Sequence, residues 1–364
     1  MTDRYVVRRA EQADYRDPGA LAPESTGYTR WCAVGFDDGA AHTDFGMSRL
    51  EPGGTIPTHV HSVEESFHVI EGEVLLVTPE ATVHLVAGDY GVIPLGVPHS
   101  WYSVGNQPAV WSDIYSPPPR AHHNHDTYRA PDIAPGTPVP VDPRDPRTRS
   151  YGAITTEGMN PGKQSQELLA QSASMRTALL VYSGISLKMM VDSDLGSVLH
   201  TMFMVQYEPT GVAGPHDHPL EEAYLIIEGE VEATFDGYEV RMKPGDIAWA
   251  GVGCVHSFRA VGEPVRWLET QSPQMPARHA YRFARDWSYL TDKLGSESPA
   301  SPQDSRRSSE SAHHRRHRRN IRNRLGDRER GRRARRPGDP HRSPAGAGEG
   351  HRRLDRRPRH GPRG

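Results

Sequence analysis

One pattern occurs twice in this chain at a fixed distance. His59, His61, Glu65, Gly72 and His99 are each matched 157 residues downstream, by His216, His218, Glu222, Gly229 and His256. The register extends beyond the histidines. Met47, Glu51 and Pro52 recur as Met204, Glu208 and Pro209, Gly88-Asp89 recurs as Gly245-Asp246, and Asp37 and Gly39 recur as Asp194 and Gly196. No insertion separates these landmarks, and the period is too long for a solenoid repeat. The pattern therefore predicts duplication of a whole domain, at residues 27–116 and 184–273. Three imidazoles and one carboxylate make a first shell for a divalent metal ion, and the duplication writes that shell twice.

Within each copy the local pattern is β. Short apolar runs such as Val74-Leu75-Leu76-Val77 and Leu225-Ile226-Ile227 are punctuated by Gly, Pro and Asp, which predicts an all-β barrel or sandwich. Asp236-Gly237 between Phe235 and Tyr238 predicts a tight hairpin, because both central residues of such a turn need positive φ. A strand also suits the ligand spacing. Residues i and i+2 diverge by about 200° on a helix but share one face of a strand, so His59 and His61 can chelate together only from a strand.

Around the two copies the chain divides into an N-terminal arm (1–26), a Pro-rich connector (117–183) with a short helix over Gln164–Thr177, a strap with a second short helix at Asp286–Leu294 (274–294), and a tail (295–364). The connector carries Pro117-Pro118-Pro119 and six further prolines up to Pro146, a composition that favours an extended segment across the surface. The tail is of another character. Residues 301–364 hold 21 of the 43 Lys and Arg but 7 of the 46 Asp and Glu, and no aromatic residue among Phe, Trp and Tyr. Such a segment cannot build a core and is expected to be disordered. It reads either as a basic binding arm or as the product of a shifted reading frame in a GC-rich gene. The remaining 300 residues are strongly acidic, which argues against nucleic acid as a partner of the folded part.

The two cysteines, Cys32 and Cys254, give no disulfide framework. No run of about 18 apolar residues predicts a membrane span, and the first residues lack the apolar core of a signal peptide. A cytoplasmic location is expected.

The spacings carry a family resemblance. Gly53, His59, His61, Glu65 and Gly72, followed by Gly88, Pro94, Gly96 and His99, match both motifs of the cupin superfamily, with Ser103 at the position of the usual closing Asn. The second copy matches through His216, His218, Glu222, Gly229, Gly245, Gly253 and His256, but has Thr210 where Gly is expected and Gly251 where Pro is expected. The chain resembles a bicupin over residues 27–273. The resemblance implies two tandem cupin barrels of double-stranded β-helix (jelly-roll) type, with His59, His61, Glu65 and His99 as one set of metal ligands and His216, His218, Glu222 and His256 as the other. The donor set suits Fe(II) or Mn(II), with Ni(II), Co(II) or Zn(II) as alternatives and one or two ions per chain. The absence of thiolate ligands argues against a structural zinc site.

Other residues leave a choice of role. Glu64 and Glu221 precede the shell glutamates and face the opposite side of their strands, as surface or interface carboxylates or as supports for the ligands. His68 also faces away and suits packing. Cys254 suits a small buried hydrophobe. His122, His123, His125 and Asp126 suit a solvated linker rather than a further metal site. Phe67, Trp101, Tyr224, Ala248, Trp249 and Phe258 suit either cavity walls or ordinary core.

Function must come from the site rather than the fold. The resemblance spans oxygenases, decarboxylases, isomerases, hydrolases and non-catalytic binders. The chain lacks the Ser-Glu-Asn lid of bicupin oxalate decarboxylases, keeps a glutamate that gentisate-type dioxygenases omit, and does not show the rearranged ligands of ureidoglycine aminohydrolases. Quercetinase-like bicupins keep three histidines and a glutamate in both halves, as here. The leading expectation is a metal-dependent, dioxygenase-like oxidoreductase acting on a small organic substrate with dioxygen, Glu65 or Glu222 shuttling a proton. A non-redox hydrolase, isomerase or cyclase, and a non-catalytic binding or sensing protein, are the alternatives. The resemblance also allows a homodimer.

Overall fold

The computed structural model describes residues 4–21, 23–159, 176–180 and 184–274. The Asp286–Leu294 helix and the basic tail lie outside them. So does most of the Gln164–Thr177 helix, but its last two residues, Arg176 and Thr177, lie in a strand instead. Their β-branched and apolar continuation, Thr177-Ala178-Leu179-Leu180, pairs antiparallel with the next strand, and strand pairing of this kind overrides helix propensity. Among the described residues no helix is long and apolar enough to cross a membrane.

Strands dominate, as the short apolar runs require. In chain order they are β1 Tyr5–Arg8, β2 Thr26–Val34, β3 Asp44–His61, β4 Glu64–Glu71, β5 Glu73–Val77, β6 Thr82–Val86, β7 Asp89–Ile93, β8 His99–Ser103, β9 Ala109–Ser116, β10 Thr127–Arg129, β11 Val139–Pro140, β12 Tyr151–Ala153, β13 Arg176–Leu180, β14 Ile185–Val191, β15 Thr201–Tyr207, β16 Val212–His216, β17 Glu221–Glu228, β18 Val231–Phe235, β19 Tyr238–Met242, β20 Ile247–Ala250, β21 His256–Ala260 and β22 Val265–Ser272. The predicted hairpin joins β18 to β19, Phe235 pairing with Tyr238 across Asp236 (φ 47°) and Gly237 (φ 88°).

The strands form two barrels. In the first, the long β3 pairs with β2 and β9 through its first half and with β8 and β10 through its second, so one curled sheet of eleven strands closes the barrel. Gly53, at φ 76°, lets β3 turn that corner unbroken. In the second barrel the equivalent stretch is divided into β15 and β16. Its strands accordingly form two sheets, β1-β20-β17-β22-β15-β14-β13 and β16-β21-β18-β19. Thr210 replaces the corner glycine there. Gly72 and Gly229 are kept for a common reason: both have positive φ, and a Cβ would stand 2.3 Å from Pro108 O or 2.2 Å from Pro264 O.

Three apolar clusters result. One fills barrel 1 around Phe67, Leu76, Leu85 and Trp101, and one fills barrel 2 around Tyr224, Phe235, Phe258 and Trp267. The third lies between the barrels and joins Trp31, Phe45, Met47 and Ile114 to Met202, Met204, Leu225, Trp249 and Leu268. Each sheet there alternates, one face toward its own interior and the other toward the neighbouring barrel.

Two exchanges cross this junction. The N-terminal β1 pairs with β20 of barrel 2, whereas β12 of the connector pairs with β7 of barrel 1. Gly251 follows from the first: its N–H donates to Arg4 O at 2.8 Å, a bond that the proline expected at this position could not make. The carboxylates adjacent to the shells also exchange. Glu64 accepts the N–H groups of Val198 and Leu199, and Glu221 accepts those of Ala41 and His42, the residues at the matching positions of the repeat. Both carboxylates are fully withdrawn from solvent, so the interface role is the one they take.

Candidate metal centres

Each histidine triad is assembled at two strand ends. In barrel 1, His59 and His61 project from the end of β3 and His99 begins β8. The ring centroids are 4.7 Å (His59–His61), 4.1 Å (His59–His99) and 5.2 Å (His61–His99) apart. In barrel 2 the corresponding separations for His216, His218 and His256 are 4.9, 4.4 and 5.2 Å. In both triads the nitrogens lie within 4.8 Å of one another, close enough to share one ion. Glu65 and Glu222 complete the groups. Glu65 Oε2 is 3.2 Å from His61 Nε2 and 3.3 Å from His99 Nε2; the Glu222 oxygens are 3.3 Å from His218 Nε2 and 3.1 Å from His256 Nε2. The structure thus brings together all eight residues that the repeat singled out.

The outer nitrogens fix which ring atom faces inward. His59, His99, His216 and His256 each hold Nδ1 2.6–3.0 Å from the carbonyl oxygen two residues earlier, at Pro57, Val97, Gly214 and Cys254. A carbonyl only accepts, so Nδ1 carries the proton and Nε2 presents a lone pair to the centre. His61 uses a different anchor, the Thr127 hydroxyl at 2.8 Å. That hydroxyl donates to His125 O, which leaves its oxygen to accept from Nδ1. In barrel 1, His61 Nε2, His99 Nε2 and Glu65 Oε2 are buried with no hydrogen-bond partner. Acceptors converging without a donor fit a cation.

The electrostatics agree. Burial pushes the His59 imidazole well below its ordinary range and outweighs Glu65 in lowering that of His61. Burial would raise the Glu65 carboxyl, but the attraction that His61 and His99 exert when they carry a proton holds it far below the usual carboxylate range. In barrel 2 burial takes His218 down to about 4, while His256, His218 and Tyr224 overcome burial to hold Glu222 at about 2. Neutral imidazoles with an ionised carboxylate are the form that takes up a divalent ion.

The two groups differ in their surroundings. Glu222 is clamped: Oε2 accepts from Tyr224 OH and Oε1 from Gln271 Nε2. The corresponding positions in barrel 1 are Phe67, two residues after Glu65, and Tyr115, opposite Glu65 in the β4–β9 register, and neither makes such a bond. Aromatic rings of Tyr224, Phe235 and Phe258 lie 5.8–6.5 Å from His256. In barrel 1, by contrast, His59, His61 and Glu65 open onto a cavity of about 1140 Å³. Its wall includes Tyr28, Trp101, Trp111 and Tyr115, residues of the N-terminal arm around Asp17–Leu21, and connector residues from Pro119 to Thr127. Trp101 lies on this wall, as one reading of the aromatics has it. Trp249 does not: it packs between the barrels, because it alternates with Ala248 and Ala250, which face the interior of barrel 2. Phe67, Tyr224 and Phe258 are interior core.

Of the remaining candidates, His68 is buried without a hydrogen-bond partner for Nδ1, a packing residue. Cys254 is buried, and burial pushes its thiol up to about 12, so it is inert. His122 and His125 line the cavity rather than forming a third cluster of ligands among the described residues. Thr127, Arg30, Trp111 and Tyr115 were not among the candidates. Arg30 and Tyr115 differ between the two copies, since Leu187 and Gln271 hold the matching positions of barrel 2.

Comparison with known proteins accords with this geometry. The Cupin domain family model matches residues 46–115 and 203–270. Quercetin 2,3-dioxygenase of Bacillus subtilis is 26% identical over 241 residues, covering 57% of this chain and 66% of the relative; the chain therefore spans just under two-thirds of that enzyme. Among solved structures, the oxalate decarboxylase formate complex of Lactobacillus farciminis superposes with a TM-score of 0.52 at 14% identity, covering 82% of this chain and 95% of that one. Protein Ylba of E. coli gives 0.52 at 12% identity, covering 77% and 95%. At these identities the structures speak to fold alone.

Proposed function

We propose that this chain, which carries two cupin domains, is a metal-dependent oxygenase that acts on a small organic substrate in barrel 1, with dioxygen as co-substrate. The observation that carries the reading is the position of the His59–His61–Glu65–His99 group on the wall of a cavity large enough for a drug-sized molecule. The relative at 26% identity, a quercetin 2,3-dioxygenase, supports the oxygenase class.

A bound Fe(II) or Mn(II) ion would be held by His59, His61, His99 and Glu65, and would bring substrate and dioxygen together while stabilising charge that develops on oxygen. The chain's own residues supply the rest. Trp101 and Trp111, stacked 5.1 Å apart at 17° and both buried, back the cavity with an apolar layer that keeps water from the site. Glu65, free of the clamp that fixes Glu222, can swing off the ion, accept the proton of a substrate hydroxyl and later return it. Barrel 2, with its carboxylate held by Tyr224 and Gln271, serves to stabilise the fold around a second ion.

The test is oxygen uptake by protein loaded with Fe(II) or Mn(II), with quercetin as the first probe. Uptake that is abolished by His59→Ala and persists in His216→Ala supports the assignment to barrel 1. Turnover at an undiminished rate without oxygen contradicts it and favours Lewis-acid chemistry.

A further inference from the structure

Glu65 lies between two residues that turn the other way. Glu64 and Ser66 point out of barrel 1 toward the junction with barrel 2, and both are fully buried there. One side chain of barrel 2 meets them both. His200, also fully buried, places Nδ1 3.1 Å from Glu64 Oε1 and hydrogen-bonds Ser66 Oγ through Nε2 at 2.7 Å. The Ser197 hydroxyl stands between Glu64 Oε1 and His200 O. Ser66, His200 and Glu64 thus line up as nucleophile, base and orienting acid do in a hydrolase. No substrate can reach them, since all three are 0% exposed, so their effect falls on the strand that carries Glu65.

The arrangement runs one way. Glu221 and Ala223 flank Glu222 at the matching positions, and Glu221 receives backbone N–H groups from barrel 1 as Glu64 does from barrel 2. The side chains are not matched. Ala223 stands for Ser66, Thr43 for His200 and Ala40 for Ser197, and the Thr43 hydroxyl is buried with no hydrogen-bond partner among the described residues. Side-chain support therefore stands only behind the shell that opens onto the large cavity.

We propose that His200 of barrel 2 is a positioning residue for the metal centre of barrel 1: by holding Glu64 and Ser66 together it fixes the strand on both sides of Glu65 and aims that carboxylate at the point where the three imidazoles converge. This rests on the reading of the histidine groups as metal centres. Two features make the aim of Glu65 depend on its backbone. Glu65 lacks the side-chain clamp that Tyr224 and Gln271 give Glu222. It is also the second residue of β4, and a strand end is where ladder bonds hold least firmly. Partners outside the ligand shell that fix a ligand's direction contribute strongly to metal affinity. Barrel 2 thereby serves barrel 1 directly, through a side chain that touches none of the four ligands.

The test uses the full-length chain in two forms, His216→Ala to leave the barrel-1 centre and His59→Ala to leave the barrel-2 centre. Co(II) is the probe, because its visible absorption reports ligand geometry as well as occupancy, and its affinity is read by competition against a chelator. In the barrel-1 form, His200→Phe fills the space but drops both contacts. It is expected to weaken Co(II) about 10- to 100-fold and to shift the visible spectrum. Ser66→Ala, which installs the residue that barrel 2 carries, is expected to weaken Co(II) roughly fivefold, the scale of one hydrogen bond, with circular dichroism unchanged. Neither substitution alters the spectrum or affinity of the barrel-2 form, and Thr43→Val at the matching position leaves that form as it was. An unchanged barrel-1 spectrum and affinity in either variant overturns the proposal. So does an equal loss in the two barrels, which marks His200 as support for the fold alone. A His216→Ala protein that takes up no Co(II) contradicts the barrel-1 centre itself and the proposal with it.

Discussion

His61 Nε2 and Glu65 Oε2 face each other at 3.2 Å, and neither brings a proton. The imidazole proton is on Nδ1, directed to Thr127, and the carboxyl is ionised. Two acceptors at this distance repel unless a cation lies between them. The arrangement thus stores an unfavourable contact that metal binding relieves. Glu65→Gln, whose amide can donate to the imidazole, is expected to lower metal affinity in barrel 1 by about tenfold or more and to raise the melting temperature of the metal-free protein. Thermal melts with and without chelator check both. A metal-free Gln variant that melts lower than metal-free wild type contradicts this account.

Thr127 acts on the same group from the connector. Thr127→Val keeps the shape but removes the acceptor for His61 Nδ1, leaving a buried donor unsatisfied. Outer partners of this kind are worth about 10- to 100-fold in metal affinity. The expected outcome is a loss of that size confined to the barrel-1 ion, with Thr127→Ser restoring it, as read by competition against a chelator of known affinity.

The contrast between Thr127 and His61 also shows what the sequence could reveal. The ligands were legible because duplication wrote them twice at one spacing, and strand geometry required His59 and His61 to share a face. The hairpin at Asp236-Gly237 was legible because its backbone conformation depends on those residue types. Thr127 carries no local signal, since its role arises only when the connector returns to pair with the end of β3. The exchange of β1 and β12 between barrels was hidden for the same reason: these short segments have no core of their own, and only the exposed edges of β20 and β7 give them a partner. Trp249 could be read as cavity wall or core because alternation along a strand tells which residues share a face, not whether that face meets a ligand or a second barrel.

His68 sets a pH dependence that is separate from the metal. Burial lowers its imidazole from 6.5 to about 4, so the unfolded chain binds a proton that the native protein refuses. Its contribution is therefore retained above the unfolded value and is lost as pH falls from 6.5 toward 4. Between pH 6.5 and about pH 5 the loss from this one group is about 1.5 kcal/mol. His68→Phe is expected to flatten the stability profile over that interval by a comparable amount. Urea unfolding of both proteins at the two pH values measures it, and an unchanged slope would show that His68 has a proton acceptor in the native state.

Gly251 tests the strand exchange. Gly251→Pro restores the residue more usual in the family but removes the N–H that donates to Arg4 O. Loss of that bond and strain at the end of β20 are expected to cost about 1–3 kcal/mol. Hydrogen exchange of the Tyr5–Arg8 amides should accelerate, whereas those of β15 and β22 stay protected. Uniform protection in both segments would show that β1 docks independently of this bond.

Metal content is the most direct test of the central claim, that one chain carries two complete three-histidine, one-glutamate centres. Elemental analysis of purified wild type, His59→Ala and His216→Ala should give close to two ions per chain in wild type and close to one in each variant. Wild type that remains free of metal after loading with Fe(II), Mn(II) and Zn(II), or variants that keep the wild-type content, would contradict the account.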